Sequence, residues 1–225
     1  MKKNKWYFLN TGKQSGIFNM QCDEYLLDAL INRSIDFPVL RVYAWSESTL
    51  SLGANQKMDV SSNKFFDFPT VKRLTGGMAV LHDISEITYS VVLDAGNAFK
   101  KTYYEIGEAL ISFLSTFGLK ASYGYSSEKN YFNEFNCFDS ETSADIVVND
   151  FKVIGSAQYR KKSYILQHGS IKLDLISKLS GTNIGFSETV KLLKQAFESQ
   201  LNIDFVDYCI SDVELRKIEP QVVKI

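Results

Sequence analysis

Apolar positions along this chain recur with two periods, and the switches between them lay out the elements. Met20, Leu27, Leu30 and Ile31 fall at helical spacing, with Asp23, Glu24 and Asp28 interleaved, which predicts a helix from Gly16 to Asn32. The clearest helix is Lys100 to Phe117: Ile106, Leu110, Phe113, Leu114 and Phe117 form one apolar stripe, and Gly118 follows as a natural C′ residue. A third helix runs to about Leu201 with Val190, Leu193 and Phe197 on one face and Ser187 as its cap, and a short one spans Asp212 to Ile218. Between them lie β-type runs: Trp6 to Asn10, Val39 to Trp45, Thr49 to Leu52, Thr70 to Leu74, Glu86 to Leu93, Ala121 to Tyr125, Asp145 to Val148, Phe151 to Arg160 and Tyr164 to Leu173. Ser46-Glu47-Ser48 reads as a hairpin-like link, Asn149-Asp150 as a tight turn and Arg160 to Ser163 as another, its basic residues a solvated tip. Asn55 to Phe66 reads as a loop with a short helix, and Ser126 to Ser143 as irregular. Strands with interspersed helices, several joined by tight turns, predict an α+β fold with a mixed, largely antiparallel sheet. No repeat or linker divides residues 1–225, so one domain is expected.

Composition narrows the classes. Apolar residues at 45% and charged residues at 23% are those of an ordinary globular protein. Lys and Arg number 25 against 26 Asp and Glu, so no overall basic field draws the chain to nucleic acid or a membrane surface. The opening Met-Lys-Lys-Asn-Lys is followed by only a short apolar stretch, too short for a signal core, and the protein is expected in the cytoplasm. Cys22, Cys137 and Cys209 are odd in number and widely spaced, which argues for free thiols and against a disulfide framework or a zinc site. No metal or cofactor is expected.

The chemistry gathers around Lys72-Arg73-Leu74-Thr75-Gly76-Gly77-Met78-Ala79-Val80-Leu81-His82-Asp83. Paired glycines let the backbone take φ > 0 or approach a ligand closely, and their N–H groups can form an anion-binding nest. A plain hairpin turn is the competing reading; Arg73 and His82-Asp83 on its flanks favour a site. Three further features stand out. Cys137 lies in a polar, irregular segment, where substrate can reach a thiol. Lys152 sits on a strand just before the small run Gly155-Ser156-Ala157. His168 lies in a later strand, within Gln167-His168-Gly169-Ser170, and can equally be a structural histidine. A lysine beside a cysteine would lower its pKa, and can also stabilise an oxyanion.

The segments Arg73-Leu74-Thr75-Gly76-Gly77 through His82-Asp83, Lys152-x-x-Gly155-Ser156-Ala157 and Gln167-His168-Gly169 resemble the catalytic domain of the biotin/lipoate protein ligases. Asn19-Met20-x-x-Asp23-Glu24 and Ser51-Leu52-Gly53-x-x-Gln56 fit the same family in the same order. The resemblance implies a sheet with helices packed on one side and a tunnel for an acyl chain, bordered by Gly76, Gly77 and Gly155-Ser156-Ala157. It implies that Arg73, His82, Asp145 and His168 belong to the substrate site. It also implies an acceptor lysine on a lipoyl carrier domain, such as glycine cleavage H protein or a 2-oxoacid dehydrogenase E2 domain. Cys137, placed before Lys152, is similar to the acyl-cysteine form of octanoyltransferase, which takes its acyl group from octanoyl-acyl carrier protein. Ala144 before Asp145 departs from the Asn-Asp that ligases carry to hold a nucleotide, and the further C-terminal domain of many ligases is not seen. Met78 stands where the family often has a third glycine. The expected reaction is therefore acyl transfer through Cys137 and Lys152 without ATP. The alternatives are an ATP-dependent lipoate–protein ligase or its catalytic subunit, an amidotransferase between carrier domains, and a non-catalytic carrier-binding subunit.

Overall fold

The computed structural model describes residues 3–56, 67–124 and 145–218. Its elements in chain order are β1 (Asn4–Gln14), α1 (Gly16–Ile31), β2 (Val39–Trp45), β3 (Thr49–Leu52), β4 (Thr70–Lys72), β5 (Val80–His82), β6 (Ile87–Asp94) and α2 (Phe99–Ser115). There follow β7 (Ala121–Tyr123), β8 (Ile146–Val148), β9 (Phe151–Lys161), β10 (Tyr164–Ile171), α3 (Leu173–Ser180), α4 (Phe186–Leu201), β11 (Ile203–Asp207) and α5 (Asp212–Ile218). Eight strands form one sheet in the order β11-β1-β2-β6-β10-β9-β8-β7, and three form a second, β4-β3-β5. β1 pairs in parallel with both β11 and β2; the remaining pairs of the large sheet are antiparallel. The fold is α+β with a mixed, largely antiparallel sheet.

The two faces of the large sheet have different partners. Leu40 and Val42 of β2, Tyr89 and Val91 of β6, and Ile165 of β10 pack with α2 (Ile106, Leu110, Phe113) and α4 (Val190, Leu193, Phe197) into the main core. On the opposite face α1 packs Cys22, Leu26, Leu27 and Leu30 against Leu9, Val39, Val92 and Leu166. Helices therefore cover both faces, correcting the one-sided arrangement that the resemblance implied. α1 begins at Ser15, whose hydroxyl accepts from Phe18 N at 3.2 Å, a side-chain N-cap.

Several boundaries differ from the periodic pattern. The opening strand runs from Asn4 to Gln14, because its N-terminal half pairs with β11, a strand that the pattern did not reveal, and its C-terminal half with β2. β10 ends at Ile171, and Leu173 starts an unforeseen helix, α3, whose Leu173 and Ile176 reach the core. The cap of α4 is Gly185, and Ser187 lies within the helix. Ser46-Glu47-Ser48 is not a hairpin link, since β2 and β3 belong to different sheets. Asn149 and Asp150 do form the tight turn, with φ of 49° and 63°. The short helix expected within Asn55 to Phe66 and the irregular Ser126 to Ser143 segment, with Cys137 and Ala144, lie outside the described residues.

Candidate active site

The glycine loop joins β4 to β5, which do not pair with each other; both flank β3. It is a connection across the small sheet and not a hairpin turn. Arg73 folds back to hold it. Its guanidinium donates to Ser51 O at 2.7 Å from Nη1, to Gly76 O at 2.9 Å and Met78 O at 2.7 Å from Nη2, and to Thr75 Oγ1 at 3.1 Å from Nε. Gly77 has φ +94°, a left-handed conformation that glycine adopts without a Cβ penalty. Gly53 lies so close beneath it that a Cβ there would stand 2.0 Å from Gly77 O. A Cβ at Gly76, by contrast, would meet nothing within 4 Å among the described residues. The open space of the loop is therefore at Gly76, while Gly77 answers to backbone geometry.

β9 delivers its residues through a bulge. Ile146 pairs with Ile154, but Val147 pairs with Lys152, so Val153 is an extra residue. Val153 and Ile154 consequently both join the main core. Lys152 and Gly155, three positions apart, fall on one face of the sheet, where a regular strand would place them on opposite faces. Ala157 and Gly155 share that face with their partners His168 and Ser170 on β10. There Lys152 Nζ pairs with Asp145 Oδ2 at 3.0 Å, both side chains buried. Ser156 turns the other way: its Oγ lies 2.8 Å from Tyr89 OH, and its carbonyl accepts from Tyr103 OH at 3.0 Å. Only Gly155 and Ala157 of the small run thus face Lys152.

His168 is bound at both ring nitrogens. Arg73 Nε–H donates to Thr75 Oγ1, whose own proton points to His168 Nε2 at 2.8 Å; Nδ1–H then donates to Asp23 Oδ2 at 3.2 Å. Asp23 also accepts from Arg41 Nη1 at 2.7 Å, Ser90 Oγ at 2.7 Å and Tyr43 OH at 3.2 Å. Burial alone would raise the Asp23 carboxyl, but Arg41 and the hydrogen bonds from His168 and Ser90 hold it below its ordinary value. Asn19, one helical turn before Asp23, accepts from Arg41 Nη2 at 2.7 Å and so completes the cage. Arg41 is the one charged residue in an otherwise uncharged strand, a signal in the sequence that went unused.

His82 is the second histidine, set at the end of β5. Its ring stacks on Trp45 at 4.0 Å and 8°, and Nδ1 lies 2.9 Å from Glu86 Oε2. Ser170 Oγ donates to the same oxygen, and Lys172 forms an ion pair with Oε1. Burial, and then the charges of Arg73 and Lys172, hold His82 well below the usual histidine value. Burial likewise lowers Lys172. Glu86, Lys172 and Trp45 were not singled out from the sequence, because only the tertiary fold brings them to His82. Of the thiols, Cys22 is buried in α1 and its pKa is pushed up by burial to about 11, while Cys209 is exposed. Among the described residues no group of three or more His, Cys, Asp or Glu side chains is placed to hold a metal ion, and no helix is long and apolar enough to cross a membrane.

Known proteins share both the sequence and the shape. The profile described as "Lipoyl protein ligase A/B catalytic domain" matches residues 15–207. Octanoyltransferase LipM of Bacillus subtilis (strain 168) is 33% identical, with 96% of this chain and 93% of the relative covered. Octanoyltransferase LipM of Bacillus cereus is 31% identical, covering 97% and 94%. Among solved structures, the T. acidophilum protein Ta0514 with bound lipoic acid superposes with a TM-score of 0.74 at 22% identity, covering 96% of this chain and 93% of that one. A lipoate-protein ligase A bound with ATP gives 0.71 at 22% identity, with 96% and 93% covered. These two show the fold. With the profile spanning most of its length and relatives above 30% identity nearly end to end, this chain belongs to the lipoyl protein ligase A/B catalytic domain family.

Proposed function

We propose that the chain is a protein octanoyltransferase. It takes an octanoyl group from the thioester of acyl carrier protein onto Cys137, then passes it to a lysine of a lipoyl carrier domain. The observation that carries this reading is the end-to-end likeness to octanoyltransferases at 31% and 33% identity. The geometry supports it with a buried Lys152–Asp145 pair on the same sheet face as Gly155 and Ala157. Lys152 supplies the cation that keeps Cys137 as thiolate. Thiolate attacks the donor thioester, the carrier's thiol leaves, and the acyl-enzyme meets the acceptor amine. A thioester is already activated, so neither ATP nor a metal enters a step.

The test uses the purified chain, octanoyl-acyl carrier protein and an acceptor domain, with no nucleotide. Intact mass should show one octanoyl group on the protein, removed by hydroxylamine and absent from Cys137→Ala. Adding the acceptor should move the group onto its lysine. Lys152→Met should abolish most transfer. Modification obtained only from free octanoate or lipoate with Mg-ATP would make the chain a ligase instead.

A further inference from the structure

The proposed reaction needs a group to receive the proton that the acceptor amine sheds, and the two histidines differ in their capacity to do so. His168 has no nitrogen to spare, with Nε2 on Thr75 at 2.8 Å and Nδ1 on Asp23 at 3.2 Å. His82 has one. Glu86, an acceptor at this atom, takes the Nδ1–H at 2.9 Å, and Trp45 fixes the ring plane from one side. Ser170 and Lys172 in turn hold Glu86, so the carboxylate cannot swing away. Nε2, on the other edge of the ring, has no hydrogen-bond partner among the described residues, although the side chain is only 9% exposed. A carboxylate that selects one tautomer and leaves the far nitrogen with a lone pair is the arrangement of a general base.

We propose that His82, oriented by Glu86, is the base for the second half-reaction. Ser170, beneath His82, pairs across the sheet with Gly155 on the Lys152 face, so the base stands over the strand pair that carries the lysine. The inference rests on the octanoyl-transfer reading and deepens it. The acceptor lysine first loses one proton to water. Its nitrogen then attacks the carbonyl carbon of the Cys137 thioester, and the C–N bond forms. His82 Nε2 takes the remaining excess proton from that nitrogen, the C–S bond breaks, and sulfur leaves as thiolate. The amide is complete, and His82 returns its proton to solvent. Burial and the charges of Arg73 and Lys172 keep the imidazole unprotonated at neutral pH, so the lone pair is available before attack. Glu86 is a positioning residue and touches no reacting atom.

The two half-reactions separate the roles, because attack by a thiolate has no N–H proton to remove. Single-turnover mass spectrometry on His82→Gln and His82→Ala should show acyl-enzyme forming within about 3-fold of the wild-type rate, while transfer to the acceptor lysine slows about 100-fold, within the range of general base catalysis. Free imidazole should restore part of the transfer in His82→Ala, and Glu86→Gln should lose about 10-fold in the transfer step alone. Imidazole rescue is a response that a purely structural histidine would not give. Transfer by both His82 variants within about 3-fold of wild type overturns the assignment and leaves octanoyl transfer standing. So does an equal loss of both half-reactions in His82→Gln and Glu86→Gln, which would make His82 a support of the loop. Failure of the wild-type chain to form any thioester sinks the octanoyl-transfer reading and this inference with it.

Discussion

Removing the Asp23 carboxylate should be among the most damaging single changes outside the catalytic groups. Asp23 and Arg41 are 1% and 0% exposed, and their ion pair spans 2.7 Å. Asp23→Ala leaves the Arg41 guanidinium buried with only neutral acceptors, and Ser90, Tyr43 and His168 each lose an acceptor. Breaking a buried pair by deleting one partner costs about 3–5 kcal/mol. That is a large part of the roughly 5–15 kcal/mol that holds an ordinary fold, and corresponds to a melting temperature lower by about 6–20 °C at this size. Urea denaturation of wild type, Asp23→Ala, Arg41→Met and the double variant gives the four corners of a cycle. The double variant should be more stable than the sum of the single losses, because the unpaired charge does the damage. The same carboxyl makes a pH signature. Its folded pKa lies below the unfolded value, so its contribution is complete above about pH 4 and drains away as pH falls through the folded value. The stability gap between wild type and Asp23→Ala should stay constant from about pH 5 to 8 and close below about 4. A loss under about 1 kcal/mol for Asp23→Ala, or strict additivity in the cycle, would refute the reasoning.

Four further outcomes are expected. Gly77→Ala should cost about 1–3 kcal/mol in urea titration and slow all acyl donors alike, since φ is +94° and a Cβ would stand 3.0 Å from Arg73 Nη2. Gly76→Val, facing open space, should leave stability nearly unchanged and discriminate against octanoyl relative to butanoyl donors, which equal rates for the two would contradict. In native protein iodoacetamide should spare Cys22, with its thiol pushed up to about 11, and reach Cys209 without loss of activity; peptide mapping should tie inactivation to Cys137. Glu214, despite partial burial that acts the other way, is held down to about 2 by hydrogen bonds from Ser211, Tyr208 and Tyr25. Glu214→Ala should therefore loosen α5, read as faster amide exchange over residues 212–218.

Much of this protein was written locally. The stripe Ile106, Leu110, Phe113, Leu114 and Phe117 yields α2, buried as its period demands, because one apolar face suffices to define an amphipathic helix. The bounds of β2, β3 and α5 follow directly from residue pattern, and the turn at Asn149-Asp150 from two residues that tolerate positive φ. The Lys152, Gly155 and His168 motifs could likewise be recognised one by one. What no local pattern carried is who meets whom. β11 is visible as a strand only through its pairing with β1, and α3 only through the core contact of Leu173 and Ile176. Val153 as a bulge exists only relative to β8, yet it sets Lys152 and Gly155 on one face. Arg41, Asp23 and His168, on β2, α1 and β10, become one hydrogen-bonded chain only when the sheet brings them together. The same is true of Glu86, Ser170 and Lys172 around His82, where a difference invisible in sequence separates two identical side chains. Among the described residues one imidazole is bonded at both nitrogens and the other at only one, because hydrogen-bond partners are set by three-dimensional neighbours and not by chain order.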